Sequence, residues 1–184
     1  LIIRVHPAEL RGAIPSNQKM CDEIAKIFPE LPENIFLIPP ESDISTYELM
    51  RQCNSVIIYN TKTGVELSAM GIPVIVAGEA WIRNKGFAFE IEKKSEYENI
   101  LDKLPFNEKL NNEKLLLAKK YAYHFFFRRM IPLNIMDPTN GVIPYKVGIN
   151  KIEELEEGAD LGLDIICDGI LNGTEFIYPS EKNL

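Results

Sequence analysis

Short apolar runs alternate with polar turns and amphipathic stretches along the first part of the chain. The β-branched run at 55–59 breaks into a polar turn at 60–64, a short helical pattern follows, and a second apolar run begins at Pro73. Strand, turn, helix and strand in this order are typical of the crossover unit of a parallel sheet. The turn lies beyond the carboxyl end of a strand, where such sheets bind ligands. Backbone N–H groups that open a helix also suit a phosphate.

The same alternation predicts further strands and helices on both sides of this unit. The additional strands lie at 1–5, 35–38 and 87–91. Helices are predicted from capping residues or from apolar spacing, and they begin at a Ser16 cap, at capping boxes in 45–48 and 95–98, at about Glu108 and at Leu161. Residues 137–150 read as a turn-rich surface connection. The predicted fold class is α/β, a Rossmann-like open parallel sheet with helices on both faces and a helical C-terminal extension.

Composition limits the function only broadly. The 184 residues suffice for an α/β domain with a core, and the net charge of −7 argues against a general nucleic-acid binder. The cysteines show no metal-ligand spacing, which favours a reducing cytoplasm, and no apolar run reaches the roughly 18 residues of a membrane span. Because Leu1 already belongs to a strand pattern, we expect the chain to be part of a longer protein whose missing segment lies upstream.

Polar residues collect at positions that follow predicted strands. Arg4 and His6 follow the first strand, 40–43 the second, 59–63 the third and 78–83 the fourth. The carboxyl ends of parallel strands share one edge of a sheet, so the pattern predicts a small-molecule cleft along that edge.

Several of these residues have a structural interpretation beside the functional one. His6 can donate a hydrogen bond to a phosphate or a base, or it can bond to the backbone. Glu66 can bind ribose hydroxyls, or it can stabilise the helix dipole. Arg83 and Lys85 are candidates for binding an anion or a sugar, whereas Trp81 in the same loop is more typical of a packed anchor.

Four segments, 3–9, 60–66, 71–81 and 83–87, together resemble the capsule polysaccharide biosynthesis family, which includes Kdo transferases. The resemblance extends over roughly the first 130 residues. It implies a GT-B glycosyltransferase, in which two Rossmann-like domains face each other across a cleft. This chain would be the C-terminal, donor-binding half, and the acceptor domain with the catalytic acid or base would lie upstream.

The resemblance also implies roles for individual residues. His6 and Pro7 match the His-Pro motif with which related transferases hold the CMP moiety of the donor. Thr61 and Thr63 match a hydroxyl pair near the donor phosphate, and Glu66 matches a carboxylate on the ribose. These enzymes bind the donor without a metal.

Positive side chains would then neutralise the leaving phosphate, and Arg4, Lys62, Arg83 and Lys85 supply them. Lys62 is a departure, because a small residue is commoner inside the hydroxyl pair. The predicted donor-binding residues are Arg4, His6, Pro7, Asn60, Thr61, Lys62, Thr63, Gly64, Glu66, Gly78, Glu79, Arg83 and Lys85.

On this basis residues 1–106 are predicted to bind a nucleotide sugar, and 107–184 to form a helical extension that packs on them or on the missing domain. The expected protein is a cytoplasmic transferase, with peripheral attachment to the inner face of the membrane left open. It would need no cofactor or metal, and its partners would be a polysaccharide or glycolipid acceptor and capsule export machinery. The alternatives are a nucleotide-sugar epimerase, a CDP-glycerol-type glycerophosphotransferase, or a non-catalytic assembly domain acting through the aromatic face at 121–127.

Overall fold

A computed structural model describes residues 1–11, 16–137 and 146–183. The chain divides into two compact units, Leu1–Cys53 and Asn54–Leu184, and each is described by itself below. The predicted boundary at 106/107 falls inside the second unit, so the predicted helical extension shares one compact unit with the third, fourth and fifth strands. The functional division into 1–106 and 107–184 stays a prediction.

The described residues of the first unit form a pair of parallel strands and three helices. Its elements are β1 (Ile2–Arg4), α1 (Ala8–Arg11), α2 (Met20–Ile27), β2 (Phe36–Ile38) and α3 (Thr46–Gln52). β1 pairs with β2 in a register that places Ile3 opposite Leu37. Both strands carry short apolar runs, as predicted, and the α2 helix that connects them buries no residue completely.

The second unit contains a three-stranded parallel sheet and most of the helical residues. Its elements are β3 (Val56–Ile58), α4 (Thr63–Ala69), β4 (Val74–Val76), β5 (Phe89–Glu90), α5 (Lys94–Leu101), α6 (Asn112–Tyr123), a π-helical turn (His124–Arg128), β6 (Met136–Asp137), β7 (Lys146–Val147), a 3₁₀ turn (Ile152–Leu155), α7 (Leu161–Asn172) and a second 3₁₀ turn (Ser180–Asn183).

The core of the second unit is built around β4. This strand pairs in parallel with β3 on one side and β5 on the other, and all three of its residues are buried. An unbroken apolar run is what a parallel strand covered on both faces requires. Helix α4 packs against α6, where Leu67 and Ala118 are completely buried.

The α/β class and the five predicted strand positions are confirmed, and every ladder among β1 to β5 is parallel. These five strands form one pair and one group of three, each within its own unit. The finer prediction, a single Rossmann-like sheet belonging to a GT-B fold, stays a prediction.

Two of the predicted helix starts are wrong, because the carboxylates of Glu9 and Glu96, and not the predicted serines, accept the N–H groups at these helix starts. The Ser16 hydroxyl donates to the carbonyl of Gln18, and α2 begins at Met20, whose N–H donates to both carboxylate oxygens of Glu9 at 3.2 Å. Helix α5 begins at Lys94, and the carboxylate that caps it belongs to Glu96. A third helix, α3, follows Ser45 as predicted, but the Ser45 side chain makes no capping hydrogen bond.

The long helix predicted for 108–130 starts later and changes its pitch. It begins after Asn111, whose side-chain oxygen accepts the N–H of Lys114 at 2.9 Å. From His124 the helix widens to π geometry, and the N–H of Arg129 donates to the carbonyl of His124 at 2.9 Å. Bulky aromatic side chains fill this turn, and Phe125 packs beside Trp81 with ring centroids 5.3 Å apart.

The connection predicted at 137–150 is partly regular. Its ends are the two short strands β6 and β7, which pair antiparallel, while residues 138–145 lie outside the described residues. The predicted apolar helix at the C-terminal end is confirmed as α7. Asp160 caps it, and its carboxylate accepts the N–H groups of Gly162 and Leu163 at 2.8 and 3.2 Å.

Candidate functional site

The loops that follow β3 and β4 begin side by side at the carboxyl edge of the three-stranded sheet. The N–H of Ala77 donates to the carbonyl of Ile58 at 2.9 Å, so the ladder extends to the last residues of both strands. Just beyond it, the ring and carbonyl of Tyr59 lie against Gly78. The structure therefore brings the first residues of the third-strand and fourth-strand groups together.

The predicted hydroxyl pair is present in the turn after β3. The Oγ1 atoms of Thr61 and Thr63 are 3.1 Å apart, and the N–H of Thr63 donates to Thr61 Oγ1 at 3.3 Å. These hydrogen bonds fix the turn immediately before α4, while Asn60 and Lys62 are exposed on either side of Thr61. The two hydroxyls are thus held next to each other, in a position to act on one ligand.

Gly64 has a packing role that the sequence does not reveal. It is buried, and a Cβ at this position would lie 2.6 Å from Ile58 Cδ1 and 3.1 Å from Ile82 Cδ1. A larger residue here would displace the ends of both isoleucine side chains, so glycine has a packing role whether or not its N–H meets a phosphate. Glu66 is half-buried in the first turn of the same helix, where both of its interpretations stay open.

Arg83 braces the loop after β4. Its guanidinium donates to the carbonyl of Gly78 at 2.7 Å and to that of Ile91 at 3.0 Å, and only 15% of its side chain is exposed. Its Nε lies 3.9 Å from the carboxylate of Glu79, whose side chain is almost fully exposed. Part of the guanidinium predicted to bind an anion is therefore committed to the protein backbone.

Lys85 and Trp81 contact α6. The Lys85 ammonium lies 5.6 Å from the centre of the Tyr121 ring, in cation–π geometry. The Tyr121 hydroxyl donates to the carbonyl of Trp81 at 2.6 Å, and burial raises the pKa of this phenol. The packed-anchor interpretation of Trp81 is supported by these contacts, although the residue is 55% exposed.

In the first unit, Arg4 joins the ends of the two strands. Its guanidinium donates to the carbonyls of Val5 at 3.0 Å, Pro39 at 2.5 Å and Ser42 at 3.2 Å. The predicted proximity of the first-strand and second-strand groups is thus present within this unit. As with Arg83, the cation is used to hold a loop.

His6 has the backbone contact that its structural interpretation requires. Its Nδ1 accepts the N–H of Ala8 at 3.0 Å, which caps the short helix α1 after Pro7. Accepting at Nδ1 places the proton of a neutral imidazole on Nε2, and the side chain is exposed. One donor is therefore available for a ligand even though the ring is used as a cap.

The thirteen predicted residues thus form two local groups. Arg4, His6 and Pro7 belong to the first unit, and the other predicted residues belong to the second. A cleft shared by both groups stays a prediction. Sequence reasoning missed the contact of Tyr59 with Gly78, and the signal that could have found it is a tyrosine ending an otherwise aliphatic strand.

Two open hollows in the described part of the chain lie away from the predicted donor-binding residues. One, of about 540 Å³, is lined mainly by apolar residues of the π-helical turn and the C-terminal segment, including Phe127, Met130 and Tyr178. The other, of about 460 Å³, lies between β6 and the start of α7 and includes Asn134, Glu154 and Asp160.

Within residues 1–11, 16–137 and 146–183, no group of three or more His, Cys, Asp or Glu side chains is arranged to hold a metal ion. Over the same residues, the helices are all too short or too polar to cross a membrane.

No protein-family model matches the chain, and neither a curated protein nor a solved structure matches it. The resemblance to capsule polysaccharide enzymes therefore depends on its motifs alone.

Proposed function

We propose that this chain contributes the nucleotide-sugar-binding part of a glycosyltransferase that builds capsule or other surface polysaccharide. The residues matching the family's motifs are Thr61, Thr63 and Glu66 in the second unit and His6 with Pro7 in the first. The donor would be held without a metal, and the catalytic acid or base would come from a part of the enzyme upstream.

One observation carries the proposal. The motif segment 60–66 follows β3 and opens α4 at the carboxyl edge of a parallel sheet, directly beside the loop after β4. Ligands bind at this edge in open α/β sheets, because loops from neighbouring strands converge there. In the pair formed by Thr61 and Thr63 one hydroxyl donates to the other, which leaves the second hydroxyl proton as a donor suited to a phosphate oxygen.

Calorimetric titration of the chain with CMP, CDP, UDP and GDP tests the proposal. We expect weak binding of one of them, with CMP first because of the His-Pro motif, and no turnover by the chain alone. Preference for CDP would favour a glycerophosphotransferase, and preference for UDP an epimerase. Absence of binding by all four at millimolar concentration, in a folded sample, would refute a nucleotide-binding function.

The double substitution of Thr61 and Thr63 to Val is the sharpest variant, because it removes both hydroxyls and keeps the side-chain volumes. We expect it to weaken nucleotide binding roughly tenfold, the effect of losing a phosphate contact together with the hydrogen bond that positions its donor. Thr46→Val, on the first residue of α3, is the matched control and should bind as the wild type does.

An assembly function through the aromatic face at 121–127 has less support. The rings of Tyr121 and Phe125 pack internally, against Phe87 and Trp81 respectively, so these two aromatic side chains of that face are engaged within the second unit. Phe127 is more than half exposed, but its ring also stacks on Tyr123.

A further inference from the structure

Tyr59 is the first residue beyond β3, and its side chain is unlike the strand that precedes it. Ile58 is buried, whereas Tyr59 is 75% exposed. A single exposed aromatic ring is common on protein surfaces and would mean little by itself. What distinguishes this ring is the structure that supports it.

The support is the backbone of Gly78 at the end of the neighbouring strand. A Cβ on Gly78 would lie 2.6 Å from Cδ2 and 2.7 Å from Cε2 of the Tyr59 ring, and 2.8 Å from the Tyr59 carbonyl oxygen. The carbonyl belongs to the backbone and cannot move aside as a side chain can. Glycine is therefore what allows one edge of the ring to rest on the adjacent chain.

This support is itself held in place. Arg83 donates to the Gly78 carbonyl and to the Ile91 carbonyl, and so ties the loop after β4 to the end of β5. The ring thus has a braced backbone on one side, while most of its surface remains open to solvent.

The backbone of Tyr59 lies close to that of the hydroxyl pair. Tyr59 and Thr61 are two residues apart, so their Cα atoms are at most about 7.6 Å from each other. Thr61 in turn is hydrogen-bonded to Thr63. A ligand whose anionic group meets these hydroxyls would bring its neighbouring groups near the ring.

We propose that Tyr59, supported by Gly78, is a stacking platform for the nucleobase of the bound nucleotide. This inference depends on the proposed function and adds to it the residue that contacts the base. Every base has a flat π face, so stacking on a tyrosine contributes to affinity whatever the base. Discrimination between bases would then come from other contacts, and Tyr59 would raise the affinity for all of them.

The experiment compares ligands with and without a base. Wild type, Tyr59→Phe and Tyr59→Leu are titrated with the nucleoside monophosphate that the wild type binds best, with its nucleoside, and with ribose 5-phosphate. Phe127→Leu, which removes another largely exposed ring of the same unit, is the control. Circular dichroism confirms that each variant is folded.

We expect Tyr59→Phe to bind the nucleotide within twofold of the wild type, because the ring is retained. Tyr59→Leu should bind the nucleotide and the nucleoside roughly tenfold more weakly, and ribose 5-phosphate as well as before. Gly78→Ala, whose Cβ would displace both the ring and the Tyr59 carbonyl, should weaken nucleotide binding in the same direction.

The failures are distinguishable. If the wild type binds no nucleotide, both the proposed function and the proposed stacking on Tyr59 are wrong. If the wild type binds but Tyr59→Leu binds equally well, the platform is wrong and the function stands. An equal loss for the nucleotide and for ribose 5-phosphate would also overturn the platform, because Tyr59 would then act by shaping the turn.

Discussion

The two units use the same strand and helix pattern but bury it to different degrees. In the second unit β4 lies between two parallel neighbours and is inaccessible to solvent. In the described part of the first unit, β1 pairs with β2 in a two-stranded ladder, and Ile2 and Phe36 are 44% and 61% exposed. Similar apolar runs therefore produce a core strand in one place and a surface strand in the other.

The difference shows that a parallel strand needs neighbours and covering helices more than it needs an apolar sequence. An isolated two-stranded ladder is only marginally stable in water, whereas three strands with a packed face can be independently stable. Among the described residues of the first unit, the core consists mainly of Val5 and Met50, which expose less than a tenth of their surface. We therefore expect the second unit to hold most of the stability.

The largest expected difference is in stability, when a side chain is truncated in the core of each unit. Leu67→Ala removes a completely buried side chain of α4 and should lower the free energy of unfolding by about 2–5 kcal/mol. Leu37→Ala in β2 removes a half-buried side chain and should cost less than about 2 kcal/mol. Urea unfolding followed by Trp81 fluorescence measures the first change, and amide exchange of the β1 and β2 peptides measures the second.

Leu116→Ala is the control for these two variants, since this side chain is 55% exposed and should change stability by no more than about 0.5 kcal/mol. Equal losses at positions 67 and 37 would mean that the two units are packed alike, which would break the comparison.

A smaller effect is expected from helix caps. Asp160 is 4% exposed and accepts three backbone N–H groups, including that of Asn134 at 2.7 Å, whereas His6 is exposed and accepts one. Asp160→Ala should destabilise the second unit by about 1–3 kcal/mol, because buried N–H groups lose their acceptor. His6→Ala should cost about 0.5 kcal/mol, since water replaces the lost contact.

Thermal unfolding of both variants measures this pair. Asp160→Asn keeps the size and one acceptor oxygen, and it should recover part of the loss. A larger loss for His6→Ala than for Asp160→Ala would show that exposure does not decide the strength of these caps.

Features that depend on neighbouring residues could be predicted from the sequence, whereas features that depend on residues far apart in the chain could not. β3 and β4 were predictable, because an aliphatic run interrupted by polar turns has few alternatives. The caps of α2 and α5 were not predictable. The carboxylate of Glu9 accepts an N–H group eleven residues further on, and Glu96, not the predicted Ser95, provides the capping carboxylate of α5.

The candidate site divides in the same way. The pairing of Thr61 with Thr63 is local, and it could be expected from their spacing. The bracing roles of Arg4 and Arg83 could not be expected, because each donates to carbonyls that are brought close only when the strands pair. A lone arginine in a polar loop looks like an anion ligand until its backbone acceptors are known.

The smallest effect concerns the pH dependence of the second unit. Hydrogen bonds from the N–H groups of Glu92 and Lys93 lower the pKa of the Glu96 carboxyl below its ordinary value. A carboxyl whose pKa is lower in the folded state stabilises that state above its unfolded pKa, and this contribution is lost as the pH falls through the folded pKa.

Glu96→Gln should therefore lower the unfolding temperature slightly at neutral pH, and the difference from the wild type should shrink as the pH falls from about 6 to about 3. Glu98→Gln is the matched control, because this exposed carboxylate makes only a 3.8 Å surface pair with Lys94. Calorimetric scans at several pH values measure both variants. A difference that stayed constant across this range would mean that Glu96 acts through its shape and not through its charge, and the helix start would then depend on the backbone alone.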